Sequence, residues 1–267
     1  PCLCRCCGFR KERAARGDAC MSGKARLDQL LVERGAFASR ARAQGAIRAG
    51  LVSIDGAVID KPSAMVAPDA GIEVSGDVHD YVSRGALKLA AAIEAFGIAP
   101  AGRICLDLGA STGGFTEILL RAKAAKVYAA DVGSGQLHPK ILADPRVVNL
   151  EKTHAKDLTG ALIPDPVDII VCDVSFISLK KSLLFAMALA APGALLAALI
   201  KPQFELGPEK IGKGGIAQAD ASDLAALTGD ISRWFEAQGW RLIGVIDSPI
   251  AGGDGNREFL IGAAKPA

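Results

Sequence analysis

The sequence predicts an α/β protein in which a small N-terminal α+β domain precedes a larger domain built on a parallel sheet. Two observations predict this class. An Asp55-Gly56 turn between short apolar runs is typical of a β-hairpin. From residue 103 onward, apolar strand-like runs alternate with helical segments, which is typical of a parallel sheet covered by helices on both faces. At 267 residues the chain is long enough for both domains.

The N-terminal domain is expected over residues 24–76. Its first helix carries leucines at helical spacing and ends at Gly35. Ser39 is placed to cap a second helix. The expected elements are the helix ended by Gly35, a helix over residues 40–49, a hairpin that pairs 51–54 with 57–59, and a strand at 71–74.

A polar linker over residues 77–82 leads into the larger domain, expected over 83–267. Trp234 and Phe235 lie in a long helix near residues 220–238 and are expected in the core. The predicted strands are residues 103–109, 126–131, 147–150, 167–174, 194–201, 242–247 and 258–263.

The first twenty residues differ in composition from the rest of the chain. They hold five of the seven cysteines and the excess of basic over acidic side chains. A zinc site needs four ligands in spaced pairs, and no histidine is near, so we expect no metal there. Because Met21 directly precedes a sensible helix start, the leader over residues 1–20 is expected to be disordered or not native. The remaining Cys105 and Cys172 are expected as buried free thiols, as in a reducing cytoplasm.

An uncharged apolar run over residues 183–200 is long enough to be a membrane-span candidate. Pro192-Gly193 interrupts it, and this pair is a turn signal. A buried helix over residues 179–189 followed by a buried strand is the preferred interpretation, and no stable membrane insertion is expected.

Residues 34–50 contain four arginines and no acidic residue; the arginines are Arg34, Arg40, Arg42 and Arg48. Arg40, Gln44 and Arg48 share one helical face. Alone, this pattern is better explained by a solvated helix face. Together with the two short helices and the hairpin, it resembles the S4 RNA-binding domain. The resemblance implies that these arginines contact RNA phosphates, which gives affinity and position but not base specificity.

A glycine-rich turn follows the first strand of the larger domain. Asp107, Gly109, Gly113 and Gly114 form a D-x-G-x-x-x-G-G pattern, which lacks the second glycine of the dinucleotide fingerprint. The pattern resembles the S-adenosylmethionine loop of class I methyltransferases, which have a Rossmann-like sheet. The resemblance implies that this loop, with Ser111, Thr112 and Phe115, binds the amino acid end of the cofactor.

Asp131 ends the second strand, 22 residues after Gly109. A carboxylate there is placed to accept the ribose hydroxyls of a nucleoside. The alternative is an ordinary strand-end cap.

Four polar residues stand where a plain α/β core does not need them: Lys88, Asp173, Lys201 and Glu258. Ligands of open α/β sheets bind at the carboxyl ends of the strands, which places Asp173 and Lys201 beside the glycine loop. The Lys-Asp-Lys-Glu order resembles the ribose 2′-O-methyltransferases of the FtsJ type. A ribose hydroxyl has to lose a proton as it attacks. Lys201, desolvated and near Lys88, is expected to act as general base, while Asp173 and Glu258 orient both lysines and the hydroxyl. The chemistry requires no metal.

The whole pattern over residues 24–265 resembles the TlyA family, whose members carry both hemolysin and rRNA 2′-O-methyltransferase names. Residues 81–85, 106–117, 131–137, 173–179 and 201–205 carry this resemblance. It implies methylation of cytidine 2′-hydroxyls, with ribosomal RNA or ribosomal subunits as partner. It adds Arg84 as an RNA contact and His154 as a cofactor contact. Departures from the family pattern, among them Ser134 for an aromatic residue, His154 for Asn and Tyr81-Val82 for Trp-Val, bear on the RNA target more than on the chemistry.

Two other functions stay open. One is a membrane-active hemolysin, although no segment shows the basic amphipathic pattern of a surface-active helix. The other is an RNA-binding protein without catalysis, against which the presence of all four polar residues argues.

Overall fold

The computed structural model describes residues 24–37, 39–48, 50–74, 81–252 and 255–267. These residues divide into two compact units, within 24–74 and 81–267. The predicted leader and the start at Met21 lie outside the described residues, as does most of the predicted linker.

The N-terminal unit contains two short helices and small antiparallel strands. Both turn residues of the predicted hairpin have positive φ, 51° at Asp55 and 82° at Gly56, as a tight hairpin turn of this twist requires. Ser39 Oγ accepts from the backbone N–H of Arg42 at 3.4 Å, so the predicted cap is confirmed. The elements are β1 (Ala25–Arg26), α1 (Leu27–Glu33), α2 (Arg40–Arg48), β2 (Val52–Ile54), β3 (Ala57–Val58), β4 (Met65–Val66) and β5 (Ile72–Val74).

The pairing of these strands is β1 with β4, and β2 with both β3 and β5. Strands β1 and β4 were not predicted, because a two-residue strand has no periodicity to detect. Apolar side chains of both helices and of β2 form the core of this unit.

The larger unit alternates strands and helices, as predicted. Its elements are α3 (Gly85–Phe96), β6 (Ile104–Leu108), α4 (Gly114–Arg121), β7 (Lys126–Ala130), α5 (Pro139–Leu142), β8 (Val147–Leu150), β9 (Val167–Cys172), α6 (Leu179–Ala188), β10 (Ala190–Ile200), α7 (Pro202–Glu205), α8 (Ala221–Ala237), β11 (Arg241–Asp247) and β12 (Phe259–Ala264).

These strands form one sheet in the order β11-β12-β10-β9-β6-β7-β8. The α/β class is confirmed, but the expectation of a wholly parallel sheet is wrong at β12. That strand is antiparallel to both neighbours, β10 and β11, because a loop rather than a crossover helix joins β11 to β12. The reversal places Glu258, which directly precedes β12, at the edge of the sheet where the parallel strands have their carboxyl ends.

Helices cover both faces of the sheet. Successive strand residues point to opposite faces, so Cys105 packs on one side with α3 and α4, while Leu106 packs on the other with α6 and α8. Phe235 is fully buried, as predicted. Cys105 and Cys172 are buried free thiols, and burial raises the pKa of both.

The apolar run over residues 183–200 is divided between α6 and β10. The turn predicted at Pro192-Gly193 is wrong, because the chain turns at Leu189 and the Pro-Gly pair lies inside β10. At the Pro-Gly pair the pairing register between β10 and β9 shifts, and both residues are exposed. Proline is tolerated at such a bulge. Within the described residues, no helix combines the length and the hydropathy that crossing a bilayer requires.

A buried carboxylate joins the two helices of the N-terminal unit. Asp28 is fully buried. Its carboxylate accepts from Arg26 Nε at 3.0 Å, from Arg40 Nη2 at 3.0 Å and from Gln44 Nε2 at 2.7 Å. These donors, with Arg26 first, hold the pKa of Asp28 well below its ordinary value despite burial. Asp28 therefore fixes α1, α2 and two guanidinium groups in one arrangement.

We predict that Asp28→Asn destabilises the N-terminal unit by about 2 kcal/mol, because buried donors lose a charged acceptor. Because the pKa of Asp28 is lower in the folded than in the unfolded chain, its ionised carboxylate stabilises the fold above the unfolded pKa of about 4. This stabilisation is lost as the pH falls towards the folded pKa. The measurement is amide hydrogen exchange of peptides from residues 24–74, since both tryptophans lie in the other unit. Asn at the exposed Asp69 is the control. Equal protection of the two variants at pH 7 would contradict the prediction.

Candidate active site

The glycine loop begins where β6 ends. Gly109 has φ +86°, and a Cβ atom there would lie 2.6 Å from the carbonyl oxygen of Asp173. Only glycine allows this approach, which packs the end of β6 against the end of β9. Gly113 also has positive φ, +93°, and directly precedes α4. The loop is thus a backbone cradle at the carboxyl edge of the sheet.

Asp131 fixes this loop from the end of β7. One carboxylate oxygen accepts from Ser111 N at 2.8 Å, and the other accepts from Gly133 N at 2.7 Å. The role of a cap and that of a ligand are compatible, because each carboxylate oxygen has a second lone pair.

Asp107 lies beneath the loop and is fully buried. Thr116 Oγ1 donates to its Oδ2 at 2.6 Å, while no hydrogen-bond partner reaches its Oδ1 among the described residues. The pKa of Asp107 is raised to about 7, chiefly by burial and also by the nearby carboxylates of Asp173 and Asp131, although the Thr116 hydrogen bonds lower it. This group of acids is suited to a ligand that carries positive charge.

Two cavities open above the loop. The smaller, of about 290 Å³, is polar and contains Lys88, Lys201 and Arg84 in its wall, together with Ser111, Thr112, Gly114 and Phe115 of the predicted loop. The larger, of about 520 Å³, is lined by Asp131, His154 and apolar side chains. Gly109, Ser111, Asp173 and Ser175 belong to both walls, so the two cavities meet where β6 and β9 end.

The structure brings the four predicted polar residues together as two ion pairs. Lys88 Nζ lies 2.5 Å from Glu258 Oε2, and Lys201 Nζ lies 2.5 Å from Asp173 Oδ1. Three of the four are almost completely buried, with 7% exposure for Lys88, 8% for Lys201 and 3% for Glu258. Each lysine therefore has a carboxylate partner of its own, which limits how much charge stays unpaired.

Ser175 also contacts the second pair, with its Oγ 3.0 Å from Lys201 Nζ. It was not among the predicted site residues. Its only signal in the sequence is its place two residues after Asp173, inside a stretch that carries the family resemblance. Among the described residues, no group of three or more His, Cys, Asp or Glu side chains is arranged to hold a metal ion.

The predicted RNA-binding arginines lie in different environments. Arg34 donates to the carbonyl oxygen of Ala70 at 2.8 Å, and Arg40 is half exposed and paired with Asp28. Arg42 and Arg48 are exposed on α2, and Arg84 is exposed at the smaller cavity. Arg26, half exposed and held by Asp28, was not predicted, because a single arginine before the first helix carries no pattern.

Comparison with known families gives two matches. A family model described as FtsJ-like methyltransferase matches residues 81–265, and a model described as S4 domain matches residues 25–72.

Individual proteins are similar over almost the whole chain. The 16S/23S rRNA (cytidine-2′-O)-methyltransferase TlyA of Mycobacterium tuberculosis is 46% identical over 242 residues, which is 90% of each chain. Hemolysin A of Brachyspira hyodysenteriae is 39% identical over 88% of this chain and 98% of its own. A solved structure that carries the hemolysin name, from Streptococcus thermophilus, is 36% identical with a TM-score of 0.72, covering 91% of this chain and 89% of that one.

The close approach at Gly109 leads to a stability prediction. Gly109→Ala introduces both a strained φ and a contact at 2.6 Å with the backbone of Asp173. We expect a loss of about 3 kcal/mol, against about 1 kcal/mol for Gly102→Ala, which has the strain but an open surrounding. Urea unfolding followed by the fluorescence of Trp234 and Trp240 measures both variants. Equal losses would show that the approach of β6 to β9 does not depend on glycine.

Proposed function

The chain belongs to the FtsJ-like methyltransferase family, in its TlyA branch with an N-terminal S4 domain, and we propose that it methylates the 2′-hydroxyl of cytidine in ribosomal RNA. S-adenosylmethionine is the proposed methyl donor. The observation that carries the proposal is the Lys201–Asp173 pair: the buried Lys201 lines the smaller cavity, and Asp173 lies in the wall that the two cavities share. Such a substrate would place the protein in the cytoplasm.

Several features fit S-adenosylmethionine. The acids Asp107, Asp131 and Asp173 suit a ligand with a sulfonium and an ammonium group, and Asp107 Oδ1 is a buried acceptor without a partner among the described residues. Gly109 lies in the walls of both cavities, where it presents backbone and no side chain. The larger cavity combines a carboxylate with apolar walls, as a nucleoside requires.

Each residue of the larger cavity has a proposed role. Asp131 would accept the ribose hydroxyls with the lone pairs that its two backbone contacts leave free. His154 and the apolar side chain of Val132 would flank the adenine ring. The glycine loop from Gly109 to Phe115 would hold the amino acid end.

The proposed chemistry is a proton transfer coupled to an in-line displacement. When bound, S-adenosylmethionine supplies an electrophilic methyl group on a positively charged sulfur. Lys201 accepts the proton of the 2′-hydroxyl as a neutral amine, so its ammonium proton has to leave first. Asp173 and Ser175, both within 3.0 Å of Nζ, hold the amine in place. Lys88, fixed by Glu258, directs its positive charge into the same cavity and orients the hydroxyl.

The N-terminal unit would hold the RNA. Phosphate contacts by Arg34, Arg40, Arg42 and Arg48 are proposed, and the structure adds Arg26 as a further candidate because Asp28 presents it beside Arg40. Arg84 would contact RNA at the opening of the smaller cavity. These contacts position the substrate, while the reacting nucleotide is selected at the catalytic cavity.

Phe176 is exposed to 90% at the edge of the larger cavity. An aromatic ring in this position offers a stacking surface to an unpaired base, which is the usual way in which proteins hold single-stranded RNA.

The proposed function predicts that Lys201→Ala lowers methyl transfer by about 100-fold or more while S-adenosylmethionine affinity changes less than about threefold. Incorporation of tritiated methyl groups into unmodified ribosomal subunits measures transfer, and calorimetry measures binding. Lys123→Ala, at an exposed position, is the control. Mass mapping of ribose methylation in cells with and without the protein identifies the nucleotide. Substantial transfer by Lys201→Ala would remove Lys201 from the role of base.

Asp107 predicts a pH dependence of cofactor binding. Its pKa of about 7 reflects burial beside other acids. A cationic ligand favours the ionised form, so affinity should rise as the pH increases to about 7, by at most about tenfold per unit, and level off above.

Two variants test this linkage by calorimetry between pH 5.5 and 8.5. Asp107→Asn cannot ionise and should bind with a flatter profile. Thr116→Val removes a hydrogen bond that lowers the pKa of Asp107, so its profile should move to higher pH. Unchanged profiles in both variants would exclude Asp107 as the titrating group.

A further inference from the structure

Lys201 and the short helix α7 that follows it contact the loop over residues 173–178 at three successive points. Lys201 contacts Asp173 and Ser175 at the start of that loop. Next along α7, the rings of Phe204 and Phe176 pack with centroids 5.1 Å apart. Last, Glu205 contacts the end of the loop. The segment with the proposed base and the loop with its partners are therefore joined along their length.

Glu205 makes the last of these contacts through both carboxylate oxygens. Oε1 accepts from the backbone N–H of Leu179 at 2.5 Å, and Oε2 accepts from Ser178 Oγ at 2.9 Å. Leu179 is the first residue of α6, and Ser178, at the cap position, makes no side-chain cap bond of its own. Glu205 thus caps α6 from another segment, where a carboxylate also interacts favourably with the helix dipole.

The loop needs external support. Phe176 has φ +65°, a left-handed conformation that is unfavourable for a residue with a side chain. Its ring is exposed to 90%, so burial in the core does not hold this conformation in place. The contacts from α7 therefore supply the restraint, and the contacts of Glu205 join the far end of the loop to the fixed start of α6.

We propose that Glu205 is a positioning residue for methyl transfer, which fixes the loop over residues 173–178 so that Asp173 and Ser175 hold the Lys201 amine. The proposal rests on the proposed function of the Lys201 site. Glu205 lines neither cavity and touches no proposed ligand, so its effect is on geometry. Burial raises the pKa of this carboxyl, because the charged form loses solvent, while the hydrogen bonds from Leu179 N and Ser178 Oγ lower it.

The test compares Glu205→Ala with Glu205→Gln. A glutamine keeps both contacts, since its carbonyl oxygen accepts from Leu179 N and its amide donates to Ser178 Oγ. We expect Glu205→Ala to lower kcat by about tenfold or more, with KM for RNA and S-adenosylmethionine affinity within about threefold, because small misplacements chiefly affect the reacting geometry. Glu205→Gln should restore kcat to within about threefold of wild type. Glu209→Ala, on the neighbouring exposed turn, is the matched control.

Hydrogen exchange of peptides over residues 173–182 gives a readout that does not depend on catalysis. It should increase in Glu205→Ala alone, with the urea midpoint reported by Trp234 and Trp240 close to wild type. Wild-type kcat in Glu205→Ala, equal losses in the Ala and Gln variants, or an equal loss in Glu209→Ala would each overturn the proposal. Absence of transfer by the wild-type chain would overturn the proposed function, while the exchange difference would still show whether Glu205 restrains the loop.

Discussion

The site depends on the close packing of two parallel strand ends. Gly109 directly follows β6 and lies against the backbone of Asp173, which follows β9, at a distance that leaves no room for a Cβ. This contact brings the glycine loop and Asp173, the partner of Lys201, to one shared wall between two cavities. A methyl donor on one side and an acceptor on the other can then meet without any large movement of the sheet, which is the condition for catalysis by positioning.

The reversal of β12 completes this arrangement. In a wholly parallel sheet the residue that begins a strand lies at the edge opposite the ligand. Because β12 runs antiparallel to β10, Glu258, which directly precedes β12, lies at the ligand edge instead and pairs with Lys88. Four buried or partly buried charges thereby form two neutral pairs, which limits the desolvation penalty that isolated charges would impose. Among the described residues Asp107 has no such lysine partner, and its pKa is raised to about 7, chiefly by burial and further by the neighbouring acids Asp173 and Asp131.

Local features of the fold were predictable from the sequence, and pairings between distant segments were not. Asp55-Gly56 and Ser39 act within a few residues of themselves, so their turn and cap follow from residue type. The direction of β12 and the position of Pro192-Gly193 inside β10 depend on which strands become neighbours. The four polar residues could be selected from the sequence, but their division into Lys88–Glu258 and Lys201–Asp173 could not. Glu205 and Ser175 give even less signal, since each acts only through a contact with another segment.

The N-terminal unit shows why a count of arginines overstates the charge available to RNA. Over residues 24–74 seven Lys and Arg side chains stand against six Asp and Glu, so the unit is close to neutral. Arg34 binds backbone carbonyls, and Arg26 and Arg40 share the Asp28 carboxylate. That carboxylate reduces the net charge of the pair but fixes the direction of both guanidinium groups, each of which has donors left over and remains about half exposed. A fixed pair loses less conformational entropy on contact with a phosphate than two free side chains do. Recognition by this unit should therefore depend on shape and preset geometry more than on a strong positive field.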